Sequence, residues 1–341
     1  MRAAWAAAGL LLLLHVSAQP RPVETLKSVG GLPAHIAGRF EDIAACQRAP
    51  SGDYYVFDRR AQTVFSVPAA LSQPKEIVGV GVEPGRVLRP SAFDMASDRR
   101  FVIADAPYGR PRVQLFLESG ARVGGFELSR STAPNVTLDG VVVSGVGSVE
   151  FTGPSLFISL PETGALITEY SVDGRLVRSF GELRPTGHEG DRDVHLALNT
   201  GRIVRNPEGG LYFVFLSGAP LYRKYDEAGR MVFERHIQGA ELDDYVRSRP
   251  NVWPKRATPD VIPLVVPVVR AAAADGAGNL WIALSVPVTY VYDPAGERQR
   301  VVRFVAAGPH APASLDFAPD GTLLTTPGCY AFDPRPAAGA R

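Results

Sequence analysis

Apolar runs of about four residues recur along the chain, each introduced by turn-forming residues and followed by a polar break. Pro50-Ser-Gly52 leads into Tyr54-Tyr-Val-Phe57, and Asp98-Arg-Arg100 into Phe101-Val-Ile-Ala104. Gly153-Pro154 leads into Leu156-Phe-Ile-Ser159, and Pro207-Glu-Gly-Gly210 into Leu211-Tyr-Phe-Val214. Asp275-Gly-Ala-Gly-Asn279 leads into Leu280-Trp-Ile-Ala283, and Pro319-Asp-Gly321 into Thr322-Leu-Leu-Thr325. Runs this short, rich in β-branched and aromatic residues and bounded by Gly, Pro and Asp, predict strands.

A second pattern lies downstream of several of these runs: an aromatic or apolar strand end, then glycine four positions later. It reads Phe116-Leu-Glu-Ser-Gly120, Tyr170-Ser-Val-Asp-Gly174, Tyr225-Asp-Glu-Ala-Gly229 and Tyr292-Asp-Pro-Ala-Gly296. Each is followed by another short alternating run, so the unit is a hairpin closed by a tight turn. Six such units spaced by roughly 40–50 residues predict an all-β fold, a six-bladed β-propeller of four-stranded antiparallel blades. The last unit runs out after Tyr330-Ala-Phe-Asp333 with one strand missing, while residues 23–30 form a spare strand ahead of the first unit. Pairing the two completes the last blade and removes two open edges. The units, above all Asp275–Ala283 with Tyr290-Val-Tyr-Asp-Pro-Ala-Gly296, resemble NHL-type repeats of bacterial six-bladed propellers. That resemblance implies the propeller fold, and a class containing binding scaffolds, lactonase-like hydrolases and lyases.

The N-terminus changes the picture by giving an address. Arg2 precedes an apolar stretch over residues 3–16, and Val16-Ser17-Ala18 offers a small-residue cleavage site. This is the layout of a secretory signal peptide over residues 1–18, too short to span a bilayer, with a single propeller domain over 19–341. The expected protein is exported, to the periplasm or the medium, with no transmembrane anchor after cleavage, and is a monomer. A formal net charge of +1 gives no reason to expect nucleic acid as a partner.

In a four-stranded blade the short turns share one face of the disc, and the blade connections share the other. The long connections at 184–202 and 239–263 therefore mark the face where ligand-binding residues collect. The first carries His188, Glu189, Asp191, Asp193 and His195, donors suited to a metal or a polar ligand but equally at home in a solvated loop. The second carries Tyr245 and Trp253 among arginines and lysines, able to grip a peptide or glycan, while Leu242, Tyr245 and Val246 fit a short helix packed on the blades. Residues 261–269 read as the lead into the next innermost strand.

Innermost strands line the axial channel, and their polar residues are Asp94, Glu150, Arg202, Arg205, Arg270 and Asp316. Of these, Arg270 is a candidate ligand contact. Asp94, Glu150 and Asp316 are the residues that a divalent cation would use. No nucleophile elbow, phosphate-binding loop or Cys-x-x-Cys occurs. The expected role is a cofactor-free binding scaffold that presents its loop-rich face to a protein, peptide or glycan. The alternative is a metal-dependent hydrolase or a lyase at the channel mouth. Cys46 and Cys329 fall at different predicted heights in neighbouring blades, and a bridge needs Cα atoms within about 7 Å, so the expectation is two free thiols.

Overall fold

The computed structural model describes residues 22–128, 134, 136–138, 141–143, 146–258 and 260–335. The expected signal peptide lies outside them. Four sheets have four antiparallel strands each, in simple sequence order: Ile43–Val78, Ala92–Glu127, Val149–Glu182 and Gly201–His236. The strands of Val269–Val305 and Ser314–Phe332 belong to a nine-stranded sheet, joined through the N-terminal strand Val23–Gly31. All six apolar runs that open the sequence reading are strands. This is an all-β, propeller-like arrangement of four-stranded antiparallel blades.

The N-terminal strand does more than complete the last unit. Ser28–Gly31 pair antiparallel with Tyr330–Phe332, while Val23–Lys27 pair parallel with Val301–Val305. One strand thus satisfies two backbone edges that would otherwise be left unpaired. Arg300 anchors it with a bidentate ion pair to Glu24, at 2.8–3.1 Å.

The core lies between sheets. One cluster joins Tyr212, Val214 and Tyr222 to Ile282, Tyr290 and Tyr292 of the following sheet. Others join the second sheet to the third and the third to the fourth. A further cluster sets Val56 and Tyr54 of the first sheet against Leu324 and Ala331 of the last strands, so the ring closes on itself. The aromatic-to-glycine spacing has a packing cause. Gly229 and Gly296 adopt φ of 79° and 89°, which an L side chain resists. A Cβ at Gly229 would also sit 2.9 Å from the Phe180 ring of the preceding sheet, and one at Gly296 would sit 3.1 Å from Phe233. Each turn glycine is therefore the seat on which the neighbouring sheet's outer aromatic rests. The Asp275 turn is built locally: its carboxylate accepts from the Ala277 and Asn279 amides and from Trp281 Nε1, each at 3.0 Å.

Three expectations need correcting. Cys46 and Cys329 form a disulfide with Cα atoms 5.7 Å apart. The turn ahead of Tyr330 places Gly328 and Cys329 both at positive φ, which folds it inward, and both sulfurs enter the closing core. The connection at 184–202 is not all loop but holds the helix Arg192–Leu198, capped by Asp191 accepting from the Val194 amide at 3.3 Å. Residues 261–269 are not merely a lead-in: Leu264–Val265 pair parallel with Val136–Leu138 in a separate three-stranded sheet. The second connection holds the helix Ala240–Arg247, with Leu242 buried and Tyr245 and Val246 packed on the same core. Among the described residues no helix is long and apolar enough to cross a membrane.

Candidate functional site

Two concave regions stand out. The axial channel, about 610 Å³, is lined by the first strand of each four-stranded sheet and by Ala271–Ala274 and Ser314–Phe317 of the nine-stranded one, including Gln47, Asp94, Glu150, Arg202 and Asp316. Strand alternation turns these polar side chains towards the axis, and the alanines of Ala271–Ala274 keep it open. Asp94 accepts from Gln47 Nε2 at 2.9 Å and from the Phe151 amide at 2.7 Å. Burial outweighs those bonds and raises its carboxyl to about 6. Asp316 is raised to about 7 by burial and by the charge of Asp94, with the Gln47 amide partly offsetting both. Glu150 is pushed well above the carboxylate range by burial and again by Asp94. Arg202 is half-buried on the same wall, and desolvation with the nearby Arg59 lowers it. The channel thus gathers acids that burial pushes upward, of which Asp316, at about 7, is close to half-protonated at neutral pH. Among the described residues, however, no three His, Cys, Asp or Glu side chains are grouped to hold a metal ion. The carboxyls act on each other through charge, and two of the Asp94 contacts are already taken by donors.

Arg270 sits at a bulge between Val269 and Ala271, outside the channel lining, and its charge lowers the neighbouring His310, after burial. His310 Nε2 lies 2.8 Å from the Thr325 hydroxyl.

The second concave region is a cleft of about 720 Å³ between the two long connections. Here the loop residues singled out in the sequence come together, though as scaffolding more than as ligands. Arg256 of the second connection forks onto Asp191 at 2.6 and 3.0 Å and reaches Asp193 at 3.2 Å. Against partial burial, which acts the other way, that fork holds Asp191 below the usual carboxylate range. His188 meets Trp253 edge-on with ring centroids 4.8 Å apart, and its Nε2 lies 3.0 Å from the Asn251 carbonyl. Glu189 accepts from the Thr186 and Gly187 amides, and His195 Nδ1 lies 2.8 Å from the Thr186 hydroxyl. Trp253 Nε1 donates to the Leu264 carbonyl at 3.1 Å, and the Tyr245 hydroxyl to the Pro267 carbonyl at 3.0 Å. Both connections are therefore held in one fixed relation, with His188 and Trp253 in the cleft wall and Glu189, Asp191, Asp193, His195 and Tyr245 bracing it.

Sequence reasoning missed the cleft's charged floor. Arg184 is buried and donates to the Ala219, Leu198 and Ser217 carbonyls while its guanidinium lies 4.3 Å from the Phe215 ring centroid. Burial, then the neighbouring Arg223, lowers it to about 10. Arg223 stacks on the same ring at 5.4 Å and pairs with Glu234 at 2.7 Å. Neither arginine stands in a motif: one opens a connection and the other lies mid-strand.

No family model and no curated protein sequence matches this chain. Solved structures do resemble it. A streptogramin B lyase aligns with TM-score 0.50 at 12% identity, over 84% of this chain and 76% of that chain. A catalytically inactive virginiamycin B lyase from Staphylococcus aureus, crystallised with quinupristin, aligns with TM-score 0.51 at 10% identity, over 84% and 77%. The chain has a β-propeller fold. A WD40 β-propeller domain gives TM-score 0.46 at 9% identity, over 90% and 94%. At such identities the likeness is one of fold.

Proposed function

We propose that this chain is an exported six-bladed propeller of the NHL-like kind that binds a peptide or glycan partner in the cleft between its two long connections. Six blades follow if the nine-stranded sheet is counted as two units sharing the N-terminal strand. Export accords with the residue 1–18 leader and with a disulfide, which persists in oxidising compartments. The observation that carries the binding reading is the Arg256 fork with the His188–Trp253 contact, which ties loops more than sixty residues apart into one wall. A pre-ordered cleft of this size, apolar with a few fixed polar groups, is what ligand sites look like. A library of short peptides and oligosaccharides screened by Trp253 fluorescence tests it. Ligands whose signal disappears in a cleft-filling Ala219→Leu variant support the reading, and ligands bound equally by that variant refute it.

A second reading is favoured by the channel. Carboxyls raised to about 6 and about 7 at Asp94 and Asp316 are placed to exchange protons near neutral pH, as general acid–base catalysis requires. Ester and lactone hydrolysis, and lyase turnover of streptogramin B compounds such as quinupristin, are the reactions to screen. Turnover that survives Asp94→Asn and Asp316→Asn together would end this reading.

A further inference from the structure

The cleft has an imbalance of charge that selects among ligands. Arg184, Arg223, Arg247 and Arg249 all line it, against the single carboxylate Glu234. Arg223 is matched by Glu234, and Arg247 forms an ion pair with Asp244. Arg184 makes its hydrogen bonds to backbone carbonyls, and the acid whose charge acts on it, Glu234, is already paired with Arg223. Arg249 lies with its guanidinium 3.9 Å from the Tyr245 ring centroid, and its buried Nε has no hydrogen-bond partner. Among the described residues no carboxylate pairs with either of these two arginines. A buried donor left unmade is costly, and a ligand acceptor would satisfy it. The other walls are apolar: Leu198, Leu221, Val246, Val265 and Val268, with the Trp253 ring.

We infer that the cleft takes an amphiphilic carboxylate: one anionic group joined to an apolar body. This rests on the cleft being the binding site. The carboxylate meets the Arg249 guanidinium in the cleft wall, and Arg184 adds a positive field that one shared carboxylate, Glu234, only partly offsets. The apolar body lies along the valines, leucines and Trp253. A doubly charged group fits less well, because Glu234 faces the same space. A sugar chain fits less well too, since these walls offer few hydroxyl partners. Two sources supply the chemistry: a peptide C-terminus ending in apolar residues, or an acyl chain.

The full chain is titrated with the tripeptide Leu-Leu-Phe as free acid and as C-terminal amide, and with decanoate and decanol. Trp253 fluorescence is followed, with Trp253→Phe as the blank. The expected result is that at least one acid binds about tenfold or more tightly than its neutral counterpart, the peptide or decanoate series identifying the source. Arg249→Gln should abolish that preference and Arg249→Lys keep part of it, with melting temperatures within a degree or two of the parent because the Arg249 side chain is tied only by stacking. Equal binding of acid and neutral probes, or preference for the neutral one, overturns the charge inference and leaves the cleft as the binding site. Silence of Trp253 towards all four probes overturns the inference, while the cleft reading stands or falls separately with the peptide and oligosaccharide library.

Discussion

Asp316→Asn should stabilise this protein most at pH 8, with the gain shrinking as the pH falls to 5. In the folded chain Asp316 titrates at about 7, because burial and Asp94 oppose its ionisation, against 3.8 for the ordinary side chain. Between those values the unfolded chain has already lost the proton while the folded chain keeps it. Stability therefore falls as pH rises through that window, and the full penalty is present above about 7. A rise of about three pKa units corresponds to about 4 kcal/mol at 1.36 kcal/mol per unit. Water entering the channel screens part of this, and the repulsion is shared with Asp94 and Glu150, so about 1–2 kcal/mol is the expected gain on removing one charge. For a chain of this size that is about 1–3 °C in melting temperature. Thermal melts of parent and variant at pH 5, 6, 7 and 8 measure it. Since Asn keeps the shape and the polar contacts, any packing cost is common to every pH and cancels in the difference. The reasoning is refuted if the variant loses as much stability between pH 5 and 8 as the parent. It also requires that Asp94→Asn and Asp316→Asn gain less together than the sum of their separate effects, because each relieves the same repulsion.

Reduction of the Cys46–Cys329 bridge, which closes a loop of 283 residues, should cost about 2–5 kcal/mol, read as a lower urea midpoint in dithiothreitol and unchanged by reductant in Cys46→Ser. Gly229→Ala should cost about 1–3 kcal/mol through its positive φ and the Phe180 contact, checked by denaturant unfolding; Gly276→Ala, with open space around its Cβ, should cost about 0.5 kcal/mol or less. Arg256→Ala should free the two connections from each other, so that limited proteolysis cuts within 184–200 and 248–263 at least several-fold faster while cleavage elsewhere is unchanged.

The strands were legible because each carries its own signal. Alternation, a turn ahead and a glycine behind are local features, and the inter-sheet packing that fixes them recurs between successive sheets, as the aromatic seats at Gly174, Gly229 and Gly296 show. The channel acids were legible for the same reason, and a stricter use of the repeat would have found one more member. Gln47, Asp94 and Asp316 each stand five residues before the left-handed residue of the following turn: Gly52, Arg99 and Gly321. Gln47 thus occupies the same place in its strand as the two acids, and the structure has it donating to Asp94.

The disulfide and the cleft were illegible because they depend on how separate units meet. A height assigned along an ideal strand says nothing of a turn that folds inward, and Cys329 lies in such a turn at φ 52°. Asp191 and Asp193 were visible as acids, yet ion-pairing, capping and metal ligation use the same side chain. What decides among them is Arg256, 65 residues away from Asp191. Arg184 makes the stronger case. Nothing in its neighbourhood along the chain marks it, and its character comes from carbonyls of Leu198, Ser217 and Ala219 and from the face of Phe215. Burying a cation among carbonyls without a carboxylate opposes the general preference for paired buried charge. A fold that keeps such a charge at the floor of a cleft, with Glu234 already paired to Arg223, leaves an attraction for an anion that the protein itself only partly satisfies.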